Sequence, residues 1–361
     1  TNSYFIIKKC ALPIISFTTD NAFLFNAETG LYSFKSFNNF KDKWERTVNF
    51  EYFDENGKRV VDQNVGIQLI GFWMRGLAQK PFSVFTRKKY GSTNINYKFF
   101  KNTPLSNFSN LIIRNGGNDV TQTFFRDGLL HTLVNNIDID NQALQPAFMY
   151  INGWPHGIYN IREKINESYL KSHHGADPKQ INMFETIAHE TRFSVVSGKI
   201  DDYLNLEKYI KNNSLENNDN FDFVASKIDI HEYINYHIAQ IYFANFDWMG
   251  NNVKVWKEDN PDSKWRWIMF DCEYGFGHSN QCQYDVNLLD MASDDNGPEW
   301  PNPPYSTFLF RNLLKNKTFR EAFSQRFAIH LSNIYNKERV IAVIDSLEDI
   351  YEPEIIHQIK I

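Results

Sequence analysis

The spacing of apolar residues changes along this chain, and the change restricts the folds that it can adopt. As far as residue 165 the sequence reads mainly as short strands and turns, whereas later segments repeat apolar residues at helical spacing. The strongest hairpin signal is the Asn-Gly turn at 152–153, which separates the strand-like runs Ala147–Ile151 and Gly157–Ile161. Strands followed by helices predict an α+β fold in two lobes, a sheet-rich one over 1–165 and a mainly helical one over 166–361.

Capping and turn residues mark the ends of the most clearly predicted helices and strands. The pattern predicts helices over 123–134 and 200–215, and the clearest helix follows the N-cap Asp229, with Glu232 as its capping-box partner. Two strands, Val253–Trp256 and Trp265–Phe270, come next and are joined by a polar turn. From Thr307 onwards the chain reads as mostly helical.

Composition excludes several classes of protein. The chain has 38 Lys and Arg against 43 Asp and Glu, a formal net charge of -5, so we expect no nucleic-acid partner. No apolar run reaches the ~18–20 residues that a membrane-spanning helix needs, and no signal peptide is visible. The three cysteines cannot form a disulfide framework, although one bridge between Cys272 and Cys282 stays open.

The residues that carry chemistry are concentrated after the capped helix. The polar run Asn245–Asn252 precedes the strand pair, and the acidic Asp271-Cys272-Glu273 follows it. Phosphoryl transfer needs a carboxylate that accepts the proton of a hydroxyl, and it needs oxygen ligands for Mg²⁺. Asp247, Asn252 and Asp271 fit these roles in chain order. Any one of them alone would more commonly be a cap or turn residue.

A nucleotide would also need a positive partner for its phosphates. Lys80 precedes the strand-like run Phe82–Phe85, while the denser Arg87-Lys88-Lys89 cluster is typical of a solvated face. The carboxylate that orients the lysine is Glu163 or Asp127, unless Glu163 lies in the connection between the lobes, near the adenine.

Other kinds of site have weaker support. The histidines lack metal-ligand spacing, and no Walker-type loop or Gly-x-Ser-x-Gly elbow occurs. No carboxylate spacing favours sugar hydrolysis.

Several motifs in order resemble the spore-coat protein H (CotH) family of atypical protein kinases over residues 10–361. The matching segments are Leu12–Asp20, Arg114–Asp119, Arg126–Asp127, Tyr150–Gly153, Gly157–Lys164, Ala239–Asn245, Asp247–Trp248, Asn251–Asn252 and Asp271–Gly277. The resemblance implies a reduced protein-kinase-like fold that transfers phosphate from ATP to Ser or Thr of a protein substrate. It implies a nucleotide-binding lobe over 1–165, and a hinge, an insertion and a catalytic lobe over 166–361.

The resemblance also implies roles for individual residues. Asp247 looks like the catalytic base, and Asn252 and Asp271, with Glu273, look like ligands of Mg²⁺ or Mn²⁺. Lys80 looks like the phosphate-binding lysine, with Arg75 and Glu163 beside the nucleotide. We expect residues 80, 247, 252 and 271 to meet in one cleft, in a protein of the cell surface, the spore coat or another extracytoplasmic location.

Two departures from the family pattern keep a second function open. First, bulky Phe72-Trp73-Met74 replaces a small polar run. Second, Glu273 replaces the second Asp of an Asp-x-Asp motif. The longer glutamate side chain moves the carboxylate oxygens, and Mg²⁺ is strict about the geometry of its ligands. The alternative is a catalytically weak pseudokinase that acts as a scaffold or adhesin. A weaker third option, from the richness in Trp and Tyr, is a carbohydrate-binding protein.

Overall fold

The computed structural model describes residues 10–33, 44–71, 73–186, 192–280, 283–295 and 300–358. It is an α+β structure with a sheet-rich N-terminal region and helices towards the C-terminus, as the sequence predicted. The chain forms two compact units. Unit 1 contains Thr1–Phe125, Ala143–Lys164 and Ile344–Ile361, and unit 2 contains Arg126–Gln142 and Ile165–Val343.

Unit 1 consists mainly of strands. Its elements are β1 Ile14–Thr18, α1 Asn21–Phe25, β2 Arg46–Phe53, β3 Arg59–Leu69, β4 Phe82–Phe85, β5 Ile95–Asn96, β6 Asn107–Phe108, β7 Asn110–Arg114, β8 Leu144–Ile151 and β9 Trp154–Glu163. Seven of them form a closed sheet in the order β1-β2-β3-β4-β7-β9-β8, which the parallel pairing of β1 with β8 completes. The predicted hairpin is confirmed as β8 and β9. Its turn residues Asn152 and Gly153 have φ of 50° and 82°, the left-handed conformation that an Asn-Gly turn tolerates.

Aromatic side chains fill the core of the closed sheet. Phe17, Phe50 and Phe82 are fully buried, and the ring of Phe17 lies 5.6 Å from that of Phe50 and 6.0 Å from that of Phe82, both edge to face. Aromatic pairs prefer this geometry, and each buried ring removes a large apolar area from water. Burial of these apolar side chains in one core therefore holds unit 1 together.

The segment from Ile344 onwards belongs to unit 1, where it binds Ala11, which precedes β1, and two residues of β9. Glu354 Oε1 accepts a hydrogen bond from Ala11 N at 2.6 Å, and Gln358 Oε1 accepts one from Ile158 N at 2.7 Å. The Tyr351 hydroxyl donates to Asn160 Oδ1 at 2.5 Å in the interior. Unit 1 is therefore built from three separate stretches of the sequence.

Unit 2 combines a small sheet with most of the helices. Its elements are α2 Arg126–Val134, α3 Glu167–His174, β10 Ile181–Thr186, β11 Ser194–Ser197, α4 Asp201–Asn212, α5 Asn218–Ala225, α6 Ile230–Tyr242, β12 Val253–Glu258, β13 Arg266–Ile268, α7 Leu288–Ser293, α8 Phe308–Leu313 and α9 Lys317–Asn333. The last helix, α10, covers Lys337–Gln358, and the boundary between the units falls inside it. The strand order of the sheet is β11-β10-β12-β13, all antiparallel.

Helix α6 begins where the sequence predicted, but its cap differs in one respect. The Asp229 side chain accepts from Glu232 N, as expected of an N-cap. Glu232 does not complete the capping box. It is fully buried and accepts from Trp267 N at 3.0 Å, while Asp229 N donates to the carbonyl of Trp265. The predicted capping-box partner thus joins α6 to β13.

None of the described helices combines the length and the apolar content that crossing a bilayer requires.

Candidate functional site

The loop that follows α6 is fixed by a buried pair of amides. Asn245 is fully buried, its Nδ2 donates to Gln240 Oε1 at 2.8 Å, and its backbone N donates to the carbonyl of Gln240 at 3.1 Å. Asn245 Oδ1 accepts from Asp247 N at 3.3 Å. Because a buried amide that loses its partner costs about 1–3 kcal/mol, this pair holds the start of the loop strongly.

The carboxylate of Asp247 is the centre of a polar cluster in unit 2. Asn251 Nδ2 lies 3.1 Å from each of its oxygens, and Asn252 Nδ2 lies 2.5 Å from Oδ2. Asn252 Nδ2 also lies 3.4 Å from the backbone carbonyl of Asp271, which follows β13. The structure thus brings together Asp247, Asn252 and Asp271, the three residues that the sequence selected from separate segments.

Burial and charge both act on Asp247. Burial, and after it the negative charge of Asp271, raise the pKa of its carboxyl from 3.8 to about 7, while the hydrogen bond from Asn251 opposes the shift. Two carboxylates therefore lie close enough to repel each other. Repulsion of this kind destabilises the fold, so close carboxylate pairs are typical of functional sites, where the chemistry requires them.

The backbone around the cluster is strained. Seven non-glycine residues of the described chain have positive φ, and five of them lie between positions 244 and 276. These five are Ala244, Met249, Asn252, Asp271 and Phe276, with φ between 45° and 81°. Asn and Asp tolerate this conformation, but a left-handed Ala, Met or Phe costs on the order of 1–3 kcal/mol, and such residues cluster at functional sites.

A second loop, residues 271–277, packs against the end of α6. Phe276 N donates to the carbonyl of Phe243 at 2.8 Å, and the two rings meet edge to face at 5.4 Å. Only glycine fits at 275, since a Cβ there would lie 2.9 Å from both the Phe243 carbonyl oxygen and Leu130 Cδ1. Glu273, the third predicted metal ligand, is 2% exposed, whereas Asp271 is half-buried.

Three further residues of unit 2 have ligand-type atoms that lie together. Asp127, His131 and Cys272 are buried, with these atoms within 4.8 Å of one another. The Gln142 N–H donates to His131 Nδ1 at 3.1 Å, so the neutral ring carries its proton on Nε2, which lies 3.5 Å from Asp127 Oδ1. A metal needs an unprotonated nitrogen. This hydrogen bonding gives the trio a structural role.

The predicted phosphate-binding residues lie in unit 1. Lys80 is 7% exposed, its Nζ donates to the carbonyl of Arg75, and it lies 5.2 Å from the centre of the Tyr32 ring. Burial lowers the pKa of both Lys80 and Arg75. The Tyr159 hydroxyl donates to the Lys80 carbonyl at 3.1 Å. Lys80 and Arg75 are therefore two partly desolvated cations, each of which a neighbouring anion would stabilise.

Glu163 has a different partner from the one considered in the sequence. It is buried on β9, and its Oε2 accepts from Ala143 N at 3.1 Å. Within the described residues of unit 1, no carboxylate forms an ion pair with Lys80. Asp127, the other carboxylate considered, accepts from Cys272 N at 2.8 Å in unit 2.

The rival basic cluster is solvated, as predicted. The side chains of Arg87 and Lys89 are 50% and 60% exposed, and both pair with Glu45 at 3.0 Å. Two residues named from the sequence, Phe72 and Cys282, lie outside the described residues.

The family model described as CotH kinase protein matches residues 67–360. This chain therefore belongs to the CotH family. A comparison with curated proteins gave no match.

Sequence reasoning missed two features of the site. It did not assign Asn251 to the Asp247 carboxylate, although the Asn-Asn pair was visible. It also gave no role to Arg126 in unit 2, whose contacts lie about 150 residues further along the chain.

Proposed function

We propose that this chain is a CotH-like Ser/Thr protein kinase that transfers the γ-phosphate of ATP to protein hydroxyls, with Mg²⁺ or Mn²⁺ as the metal. The observation that carries the proposal is the meeting of Asp247, Asn252 and Asp271 in one strained polar cluster. Family membership supports a kinase at the level of the family.

The cluster has the chemistry that a hard divalent cation requires. Asp247 and Asp271 repel each other, and a cation held by Asp271 would offset that repulsion. Asn252 uses Nδ2 for its hydrogen bonds, so Oδ1 is available as a neutral oxygen ligand. Carboxylate and amide oxygens suit Mg²⁺ and Mn²⁺. When bound, the metal would neutralise phosphate charge.

In this proposal Asp247 acts on the acceptor. Its carboxylate orients the Ser or Thr hydroxyl and accepts the proton, while Asn251 holds both of its oxygens in place. In unit 1, Lys80 and Arg75 supply positive charge for the phosphates, and Glu163 belongs to the family motif beside the nucleotide.

The test is the rate of phosphate transfer from radiolabelled ATP to the protein itself and to a general Ser/Thr substrate. Asp247→Asn keeps the volume of the side chain but removes the base, so the rate falls by roughly 10²–10⁴. Asp262→Asn, in an exposed turn, is the matched control and keeps the wild-type rate. Equal rates in Asp247→Asn and wild type would refute the assignment.

The alternative function is that of a pseudokinase that serves as a scaffold or adhesin. The burial of Glu273 favours it, because an interior carboxylate is less accessible to a metal than the Asp271 carboxylate is. Thermal unfolding with ATP and Mg²⁺ separates the two functions. A ligand at 100 times its dissociation constant adds about 2.7 kcal/mol to stability. A folded protein with no such stabilisation would support the pseudokinase.

A further inference from the structure

Two consecutive side chains at the start of α2 bind the two ends of the loop 271–276. Asp127 Oδ1 accepts from Cys272 N at 2.8 Å at the first end. At the second end, Arg126 Nη1 donates to the Phe276 carbonyl at 2.5 Å and lies 3.5 Å from the Gly275 carbonyl. All of these residues belong to unit 2.

Both ends of this loop are strained. Asp271 has φ of 55° and Phe276 has φ of 45°, and neither residue is a glycine. Such conformations persist only where the surrounding structure imposes them. The hydrogen bonds from α2 lie at or next to these two residues, so they are placed to impose the strain.

Asp127 is itself held in a fixed orientation. It is 6% exposed, and its Oδ1 lies 3.5 Å from Nε2 of His131, which is 1% exposed. The Gln142 N–H fixes the other nitrogen of that ring at 3.1 Å. The charged acceptor that meets Cys272 N therefore has little freedom to turn away.

We propose that Arg126 and Asp127 are positioning residues that hold the 271–276 loop so that the Asp271 carboxylate faces the metal. This inference rests on the proposed function, because it assigns Asp271 to the metal. The Cys272 amide belongs to the peptide that joins residues 271 and 272. Without its acceptor, this peptide rotates out of the strained conformation, which moves the Asp271 carbonyl away from Asn252 and the Asp271 carboxylate away from Asp247.

The experiment compares three variants. Asp127→Leu is close in size but has no acceptor, and Asp127→Asn keeps an oxygen that can accept. Asp229→Leu is the control, because it removes the cap of α6 and the ion pair with Arg266 without touching the loop. The readouts are hydrogen exchange at the amides of residues 272–276, the Mn²⁺ concentration that gives half-maximal thermal stabilisation, and the phosphotransfer rate.

In Asp127→Leu we expect exchange at Cys272 to be about tenfold faster or more, because a hydrogen bond to a charged group is lost. We expect the half-maximal Mn²⁺ concentration to rise by a similar factor. Asp127→Asn stays close to wild type in both measurements. Asp229→Leu lowers the melting temperature without changing either.

Unchanged exchange in Asp127→Leu would overturn the proposal, and so would faster exchange with unchanged Mn²⁺ affinity. If Asp127→Leu does not fold, Arg126→Met tests the other end of the loop by the same readouts. A wild type that takes up Mn²⁺ but transfers no phosphate refutes the proposed function, while the exchange and Mn²⁺ measurements still decide the positioning role.

Discussion

The closed sheet of unit 1 and the segment 244–276 of unit 2 are stabilised in opposite ways. In the sheet, fully buried rings such as those of Phe17 and Phe50 pack edge to face, and the left-handed residues of its β8–β9 turn are an Asn and a Gly. In the segment, left-handed Ala, Met and Phe residues occur beside a buried amide pair and two repelling carboxylates.

This difference separates stability from function. Regular apolar burial lowers the free energy of the sheet without any demand on geometry beyond close packing. The segment keeps polar groups in place through individual hydrogen bonds and carries strain in return. Mutations in the two regions should therefore change stability and activity in different combinations.

Among the variants that compare the two regions, Asp271→Asn has the largest expected effect. Phosphotransfer should fall by roughly 10²–10³, the usual cost of losing a preorganised electrostatic stabiliser. Stability should rise, because the repulsion of Asp247 disappears and asparagine tolerates the left-handed conformation of residue 271. Rates from radiolabelled ATP and the melting temperature measure the two changes.

The control for this variant lies in the closed sheet. Asp62 accepts from Asn49 Nδ2 at 3.0 Å and pairs with Arg59 at 3.3 Å, so Asp62→Asn should lower stability slightly and leave the rate unchanged. A loss of stability in Asp271→Asn would contradict the comparison.

A smaller effect concerns pH and the core beneath the segment. His237 on α6 stacks on Phe310 at 4.9 Å and meets Trp248 edge to face at 5.4 Å, and burial lowers its pKa to about 3. The folded state thus binds the proton less readily than the unfolded state. Neutral His237 therefore makes its full contribution to the free energy of unfolding above pH 6.5. This contribution falls by about 1.4 kcal/mol per pH unit as the pH drops towards 3.

His237→Phe should remove this part of the pH dependence. Between pH 7 and pH 5, the loss of unfolding free energy in the variant should be about 2 kcal/mol smaller than in wild type. Denaturant unfolding at the two pH values measures it. His231→Gln, on the exposed side of the same helix, should match wild type, and an equal loss in His237→Phe would show that another group governs acid unfolding.

The smallest expected effect is that replacing alanine by glycine changes stability in opposite directions at two positions. Ala244 has φ of 47°, so Ala244→Gly relieves strain and should stabilise the protein by about 0.5–1 kcal/mol. Ala147 is fully buried on β8 of the closed sheet, and Ala147→Gly should destabilise it by about 1 kcal/mol or more. Urea unfolding of both variants tests the pair. Changes of the same sign would mean that residue 244 is not strained.

Local chemistry explains which parts of the fold were predictable. The Asn152-Gly153 turn and the Asp229 cap each depend on a few neighbouring residues, and both are confirmed. The closure of the sheet by parallel β1 and β8 joins segments about 130 residues apart, and no local pattern specifies it. Glu232 shows the same limit, because its partner Trp267 lies 35 residues away.

The candidate site shows a similar division. Chain order was enough to select Asp247, Asn252 and Asp271, since their residue types suit one kind of chemistry. The left-handed conformations of Ala244, Met249 and Phe276 were not predictable, because these residue types disfavour positive φ and adopt it only under tertiary constraint. The contact between Asp127 and Cys272 N spans 145 positions and has no sequence signal.

The C-terminal segment of unit 1 has a consequence for the order of events during synthesis. The partners of Ala11, Ile158 and Asn160 are Glu354, Gln358 and Tyr351, which leave the ribosome long after the strands that they bind. The backbone groups of Ala11 and Ile158 and the side chain of Asn160 must therefore wait, exposed to water or to chaperones, until residues 351–358 have been synthesised. A chain released early, before residue 344, would lack these partners and would be a natural target for proteolysis.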